Sequence, residues 1–274
     1  MIGAARRRRA FVTGGSRGIG LAVAECLRRQ GWSVVTFARS NADITGDVAD
    51  ADALRRAIAI AAGEGGEGLD LLVCAASAAG GGLLRDIPPE ELVRMVATDL
   101  VGAMLAARLA LPHFADRPGV TIALISSMAS FHGVPGFAAY SASKAATNRF
   151  AEALALEQPN IAVVTLVLGT LADHPGTARP SWTGGETGTL GPSRRFRFFK
   201  SASDPLDPAH VAERLCGALG RGGTLYLPPS LRWMDMLSRC APRLFGWFVS
   251  LYQTNRLPEV LGFRSEADRR SDSR

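Results

Sequence analysis

Tyr140 and Lys144 stand four positions apart in Phe137-Ala138-Ala139-Tyr140-Ser141-Ala142-Ser143-Lys144, among small residues that suit a helix. On a helix this spacing puts both side chains on one face, a turn apart. A phenol titrates near pH ~10 and is a poor proton donor or acceptor at neutrality, whereas a cation held beside it favours the phenolate. The pair is therefore equipped for acid–base chemistry at a carbonyl or hydroxyl group. Taken alone, an ordinary exposed helical pair accounts for the pattern better, so the remaining chain has to decide.

A second group of residues supplies something to act on. Ala10-Phe11-Val12-Thr13 is a short apolar run ending in Gly14-Gly15-Ser16-Arg17-Gly18-Ile19-Gly20, after which Leu21 to Leu27 has helical periodicity. Strand, glycine loop and helix in that order build a phosphate site, because glycines admit the backbone to a pyrophosphate and the helix N-terminus presents N–H groups to it. The alternative, a flexible turn, lacks a reason for the flanking strand and helix. At the end of the next apolar run, Ser33 to Ala38, an acid would accept bonds from a ribose diol, but Arg39 stands there and Arg17 lies in the glycine loop. Two guanidinium groups favour a 2′-phosphate, hence NADP(H) over NAD(H); two solvated surface arginines are the alternative.

These residues need a scaffold, and the patterning provides one. Apolar runs at Leu69 to Cys74, Val120 to Ile125 and Ile161 to Leu168 alternate with helical stretches at Asp50 to Ala62, about Pro89 to Phe114, and Tyr140 to Glu157. Such alternation specifies an α/β, Rossmann-like doubly wound parallel sheet, whose ligand lies beyond the carboxyl ends of the strands. Gly14, Arg39, Ser127 and Gly169 all fall at those ends. One helix carries Asp99 in an otherwise apolar middle. Ala209 to Leu219 is expected as a helix and Gly223 to Leu227 as the last strand.

With 274 residues, 47% of them hydrophobic, the chain suffices for one α/β domain plus a terminal elaboration. Its net charge of +6 sits in separate patches with no nucleic-acid-binding motif, so no nucleic acid partner is expected. Cys26, Cys74, Cys216 and Cys240 have neither disulfide nor metal-ligand spacing and read as thiols in a reducing compartment, with no metal. Arg6 to Arg9 resembles the start of an export signal, but no apolar segment of sufficient length follows. A cytoplasmic location is expected.

Together the motifs resemble the short-chain dehydrogenase/reductase family over roughly Arg9 to Leu227. Thr13-Gly14-Gly15-Ser16-Arg17-Gly18-Ile19-Gly20 is similar to its glycine motif, Asp47-Val48 to its adenine contact, and Tyr140 and Lys144 to its Tyr-x-x-x-Lys. The family's serine lies thirteen residues before the tyrosine, which is Ser127 and not Ser126. The resemblance implies a hydride transfer to a ketone in which Tyr140 gives the proton, Ser127 orients the oxygen and Lys144 binds the nicotinamide ribose. It also implies cofactor contacts at Gly14, Ser16, Arg17, Gly18, Ile19, Gly20, Arg39, Asp47, Val48, Ala75, Tyr140 and Lys144. Three places depart from the pattern: Cys74-Ala75-Ala76-Ser77 replaces Asn-Asn-Ala-Gly, Asp99 replaces a helix asparagine of the proton relay, and Leu168-Gly169 replaces Pro-Gly. Among family members the chain is loosely similar to reductases of long-chain keto lipids, of the 3-ketodihydrosphingosine type.

The expected organisation is a catalytic domain over residues 1–227, an amphipathic helical extension over 228–263 and a disordered tail over 264–274. Within the first, about 174–208 is a Gly-, Pro- and Ser-rich substrate segment in which Arg194 to Lys200 interleaves cations with aromatics. Those residues serve either to clamp an anionic handle or as a solvated basic lid. In the extension Arg232, Asp235, Arg239 and Arg243 fall on one helical stripe, against Leu231, Trp233, Met234, Leu237, Leu244 and Phe245, with a break at Pro242. An in-plane membrane contact through 229–253 competes with packing on the chain's own domain or on a partner subunit as a homo-oligomer. The reading for the whole chain is an NADPH-dependent reductase of an apolar ketone; the rival is an NADPH-binding sensor or scaffold that has lost turnover.

Overall fold

The computed structural model describes residues 6–63, 67–78, 84–134, 136–169, 171 and 205–254. Most of the expected substrate segment and the whole of 264–274 lie outside the described residues. Seven strands, β1 (Arg9–Thr13), β2 (Ser33–Ala38), β3 (Ile44–Thr45), β4 (Leu71–Cys74), β5 (Thr121–Ser127), β6 (Ala162–Leu168) and β7 (Gly223–Leu227), form one sheet in the order β3-β2-β1-β4-β5-β6-β7. All neighbouring pairs are parallel. Chain order reverses at β1, between β2 and β4, which opens a crevice at the carboxyl edge beside Thr13.

The central strands are apolar at most positions because both of their faces are covered, as in parallel sheets. On one face Phe11, Phe37, Leu72, Ile122 and Leu124 meet α2 (Ala51–Ala62), α4 (Gly102–Ala110) and α5 (Ala138–Glu157). On the other, Ala10, Val12, Val73, Ala123 and Leu166 meet α1 (Gly18–Arg29) and α6 (Pro208–Cys216). Helix α2 starts where Asp50 accepts from the Asp52 and Ala53 amides, one residue later than the hydrophobic pattern suggests.

The long helix expected from Pro89 is interrupted. It runs as α3 (Pro89–Val96), a π-helical turn (Ala97–Val101) and α4, closing in a 3₁₀ turn (Leu111–His113). By length and apolarity the stretch Pro89–His113 also fits a membrane span. One of its faces packs on the domain, with Met95, Asp99, Ala106, Ala107 and Ala110 buried, while Val93, Val96, Val101 and Met104 on the other are exposed.

After β7 the chain forms α7 (Leu231–Cys240) and α8 (Pro242–Thr254), divided at Pro242 as expected. Asp235 is a correction. The helical wheel groups it with the exposed arginines, yet it is buried, because Tyr226 Oη on β7 donates to it at 2.6 Å and Arg239 Nε at 2.9 Å. A buried carboxylate needs such partners, and they turn α7 so that Leu231 and Asp235 face inward.

Candidate active site

β5 and α5 build the chemical centre. Successive side chains of β5 alternate between faces. Ser126 is buried with its hydroxyl 3.5 Å from the Lys144 carbonyl oxygen, while Ser127 is half-buried at the strand end, its Oγ accepting from the Ala129 amide at 3.2 Å. Of the two hydroxyls, that of Ser127 is therefore the more open. Helix α5 begins two residues before Tyr140, whose ring meets Phe137 edge-on at 6.4 Å. Lys144, one turn on, has its Nζ 5.6 Å from the centre of the Tyr140 ring.

Lys144 is buried, and its charge is met from two directions. Its Nζ donates to the Ile125 carbonyl at 3.2 Å and lies 3.1 Å from Asp99 Oδ1, with side-chain exposures of 4% and 0% for the lysine and the aspartate. Asp99 sits in the π-helical turn and also accepts from Ser77 Oγ and, at 3.2 Å, from the Ala78 amide. Burial by itself would push the lysine down, but the Asp99 carboxylate and then Tyr140 outweigh it, so Lys144 lies above its ordinary value. Nearby, burial pushes the Cys74 thiol up to about 12, against the pull of the Lys144 cation. Asp99 is thus the fixed counterion of Lys144. The Cys74 to Ser77 segment, which carries the expected cofactor contact Ala75, also reaches Asp99 through Ser77.

The glycine loop is tied to the same edge. Gly14 N donates to the Phe37 carbonyl at 2.8 Å, and Thr13 Oγ1 accepts from the Ala76 amide at 3.4 Å, holding the loop against the ends of β2 and β4. A Cβ on Gly14 would lie 2.5 Å from Ala76 N, and φ there is +68°, so only glycine fits. Ala75 and Ala76 are thus the floor under the loop. At Gly18, φ is +55° and nothing lies within 4 Å of where a Cβ would point, so the start of α1 is open to a ligand. The first turn of α1 has no acidic residue. An open, acid-free helix N-terminus over a glycine loop fits a dinucleotide pyrophosphate.

Arg17 and Arg39 are both exposed at this edge, Arg17 immediately before α1 and Arg39 immediately after β2. An acid does exist near β2, although the linear pattern hides it. Asp43 folds back to accept from Thr36 N at 2.8 Å and Thr36 Oγ1 at 2.7 Å, with Arg28 Nη2 at 2.6 Å. Burial raises its carboxyl, but the Thr36 bonds and Arg28 prevail and leave it below the usual carboxylate range. Asp47 Oδ1 accepts from the Ala49 amide at 2.9 Å, and Val48 is buried against Gly102, where a Cβ would lie 2.6 Å from Val48 Cγ2. Ser16 and Gly18 are half-buried and Ile19 and Gly20 buried, so the loop offers mainly its backbone.

Residues 8–177 match the family model for short chain dehydrogenases. The chain belongs to the short-chain dehydrogenase family. Among relatives, this short-chain dehydrogenase is 28% identical over 189 residues to an oxidoreductase of Botryotinia fuckeliana, covering 64% of the chain and 67% of the relative. It is 34% identical over 191 residues to a 3-dehydrosphinganine reductase of Arabidopsis thaliana, covering 62% and 56%. The chain thus spans little more than half the length of the second. A short-chain dehydrogenase from Streptomyces avermitilis superposes with a TM-score of 0.71 over 92% of this chain and 98% of its own, at 24% identity, which speaks for the fold.

Proposed function

We propose that the protein is an NADPH-dependent reductase that converts a ketone into a secondary alcohol on an apolar, lipid-like or acyl substrate. The observation that carries this is the placement of Ser127, Tyr140 and a buried, charge-fixed Lys144 at the strand edge that also holds the glycine loop. Bound NADPH supplies the hydride. The chain's own residues do the rest. Ser127 donates a hydrogen bond to the carbonyl oxygen and orients it, and Tyr140 gives that oxygen its proton. Lys144, anchored by Ile125 and Asp99, keeps a positive charge under the phenol and towards the nicotinamide ribose. Gly14, Ser16, Gly18, Ile19 and Gly20 hold the pyrophosphate through backbone N–H groups, Arg17 and Arg39 meet the 2′-phosphate, and Asp47, Val48 and Ala75 border the adenosine. With Asp43 engaged by Thr36 and Arg28, the end of β2 favours a phosphate over a bare diol.

The 3-dehydrosphinganine reductase among the relatives supports a keto lipid, and this is the substrate class we assign, in a cytoplasmic enzyme. Val93, Val96, Val101 and Met104, exposed along α3 to α4, support self-association into a homo-oligomer. The test is NADPH oxidation over a panel of ketones that includes long-chain keto lipids, 3-oxoacyl thioesters and cyclic ketones, with NADH as the comparison. We expect turnover with NADPH, and in Tyr140→Phe a loss of at least about a hundredfold with NADPH binding retained. Full activity in Tyr140→Phe would remove the proton donor from the scheme. NADPH binding without turnover on any ketone would favour a sensor or scaffold.

A further inference from the structure

Helices α7 and α8 have two apolar faces, and only one of them packs on the domain. Inward, Leu231 is buried with Val167 against Met128, Phe131, Tyr226 and Met234, and Phe245 is buried with its ring 6.0 Å from that of His132. These helices therefore cover Met128 to His132, the chain that leaves the catalytic strand directly after Ser127. Outward, Trp233 is 69% exposed, Met236 48%, Leu237 38%, Leu244 56% and Trp247 60%. Trp233, Met236 and Leu237 share one stripe of α7, and Leu244 and Trp247 one stripe of α8.

The exposed ionic groups that the two helices themselves carry have one sign. Arg232, Arg239 and Arg243 are exposed, and the single acid between Pro228 and Thr254 is Asp235, which is buried under Tyr226 and Arg239. The outer surface of the helix pair thus combines two tryptophans, three further large apolar side chains and the arginines Arg232 and Arg243, while Arg239 is engaged by Asp235 and by the exposed Glu152 at its rim. Tryptophan suits the headgroup level of a bilayer and arginine its phosphates. Neither helix is long enough to cross: at ~1.5 Å per residue, the 13 residues of α8 reach about 20 Å against a hydrocarbon core of ~30 Å.

We propose that the outer face of α7 and α8 seats in the plane of an anionic lipid surface, with Trp233 and Trp247 at the headgroup boundary and Arg232 and Arg243 on lipid phosphates. The charge pattern selects this occupant over a basic or neutral apolar protein face of the same shape, and the two tryptophans suit a headgroup boundary. The seat holds the Ser127 end of the cleft beside the bilayer, where apolar ketones partition. That last consequence rests on the reductase reading; the lipid contact does not.

The test uses the full chain and vesicle flotation without cofactor or substrate, with phosphatidylcholine alone and with about a third phosphatidylserine. Binding is expected to the anionic vesicles, to weaken in high salt, and to shift the tryptophan emission to the blue. Trp233→Ser/Trp247→Ser should reduce it by about tenfold or more, and Arg232→Gln/Arg243→Gln should remove the preference for anionic lipid. Circular dichroism and NADPH binding of both variants should match the parent. Absence of binding to either vesicle, or binding that both variants retain, overturns the proposal. So does concentration-dependent self-association that disappears in the tryptophan variant while vesicles are ignored, since it would make the face a contact between copies. Because flotation needs no turnover, an inactive protein that floats refutes the reductase reading alone, and an active one that does not float refutes only the lipid seat.

Discussion

Lys144 gives one hydrogen bond to the Ile125 carbonyl and one charge-assisted contact to Asp99, which leaves its remaining N–H capacity for the phenol side and the cofactor. A buried ion pair is a poor way to gain stability, since apolar residues of similar volume do as well or better, but losing one member strands the other. Asp99→Leu should therefore cost about 3–5 kcal/mol in chemical denaturation. Asp99→Asn keeps the shape and an acceptor oxygen without the charge, and its effect should depend on pH. In the folded chain Lys144 lies above its ordinary 10.5, so the pair's contribution is complete below pH 10.5 and fades as pH rises through the folded value. Without the carboxylate, burial is left to push the lysine down, so the alkaline limb of the activity profile should move to lower pH in Asp99→Asn while neutral activity persists. Superimposable profiles would show that Asp99 is only a shape in the core.

At the scale of elements, the glycine loop is the part with least tolerance. Gly14→Ala must place its Cβ against the Ala76 amide and hold a positive φ, so we expect a stability loss of about 1–3 kcal/mol together with weaker NADPH binding. Gly133→Ala, where nothing lies within 4 Å, is the matched control and should change neither. The strands, the alternation and the loop were legible in the sequence because their periods and glycines are local signals. The π-helical turn at Ala97–Val101 was not, since the apolar run continues through it and nothing local marks one extra residue per turn. Asp43 escaped for another reason: it reaches Thr36 by a turn of the backbone, and Arg39 occupies the place where linear reading looks for an acid. Ser127 is chosen over Ser126 by family spacing alone; that the Ser126 hydroxyl faces the Lys144 carbonyl is visible only in the folded strand. The placement of Asp235 inverted because a helical wheel records polarity and carries no knowledge of Tyr226.

For the whole molecule, the bond from Tyr226 to Asp235 fastens the C-terminal helices to the last strand. Burial, then the bond to Asp235, pushes the Tyr226 phenol up to about 12. Its contribution is therefore complete below pH 10.0 and lost as pH rises through about 12. Tyr226→Phe should lower the denaturation midpoint by the equivalent of about 1–2 kcal/mol near neutrality, and the gap from the parent should close towards pH 12. A gap that stays constant would mean that the hydroxyl bond is not what holds α7. Arg239 extends the same chain of bonds to Glu152 at 3.2 Å, on the far half of the helix that carries Tyr140 and Lys144. Helix α5 is 20 residues long, a strut of about 30 Å with the acid–base pair at one end and this fastening towards the other. Mechanically, then, helix α5 is braced at both ends, by the Lys144 anchorage in the interior and by Arg239 at the rim. A tilt of the C-terminal helices would reach Tyr140 as a rotation of that strut.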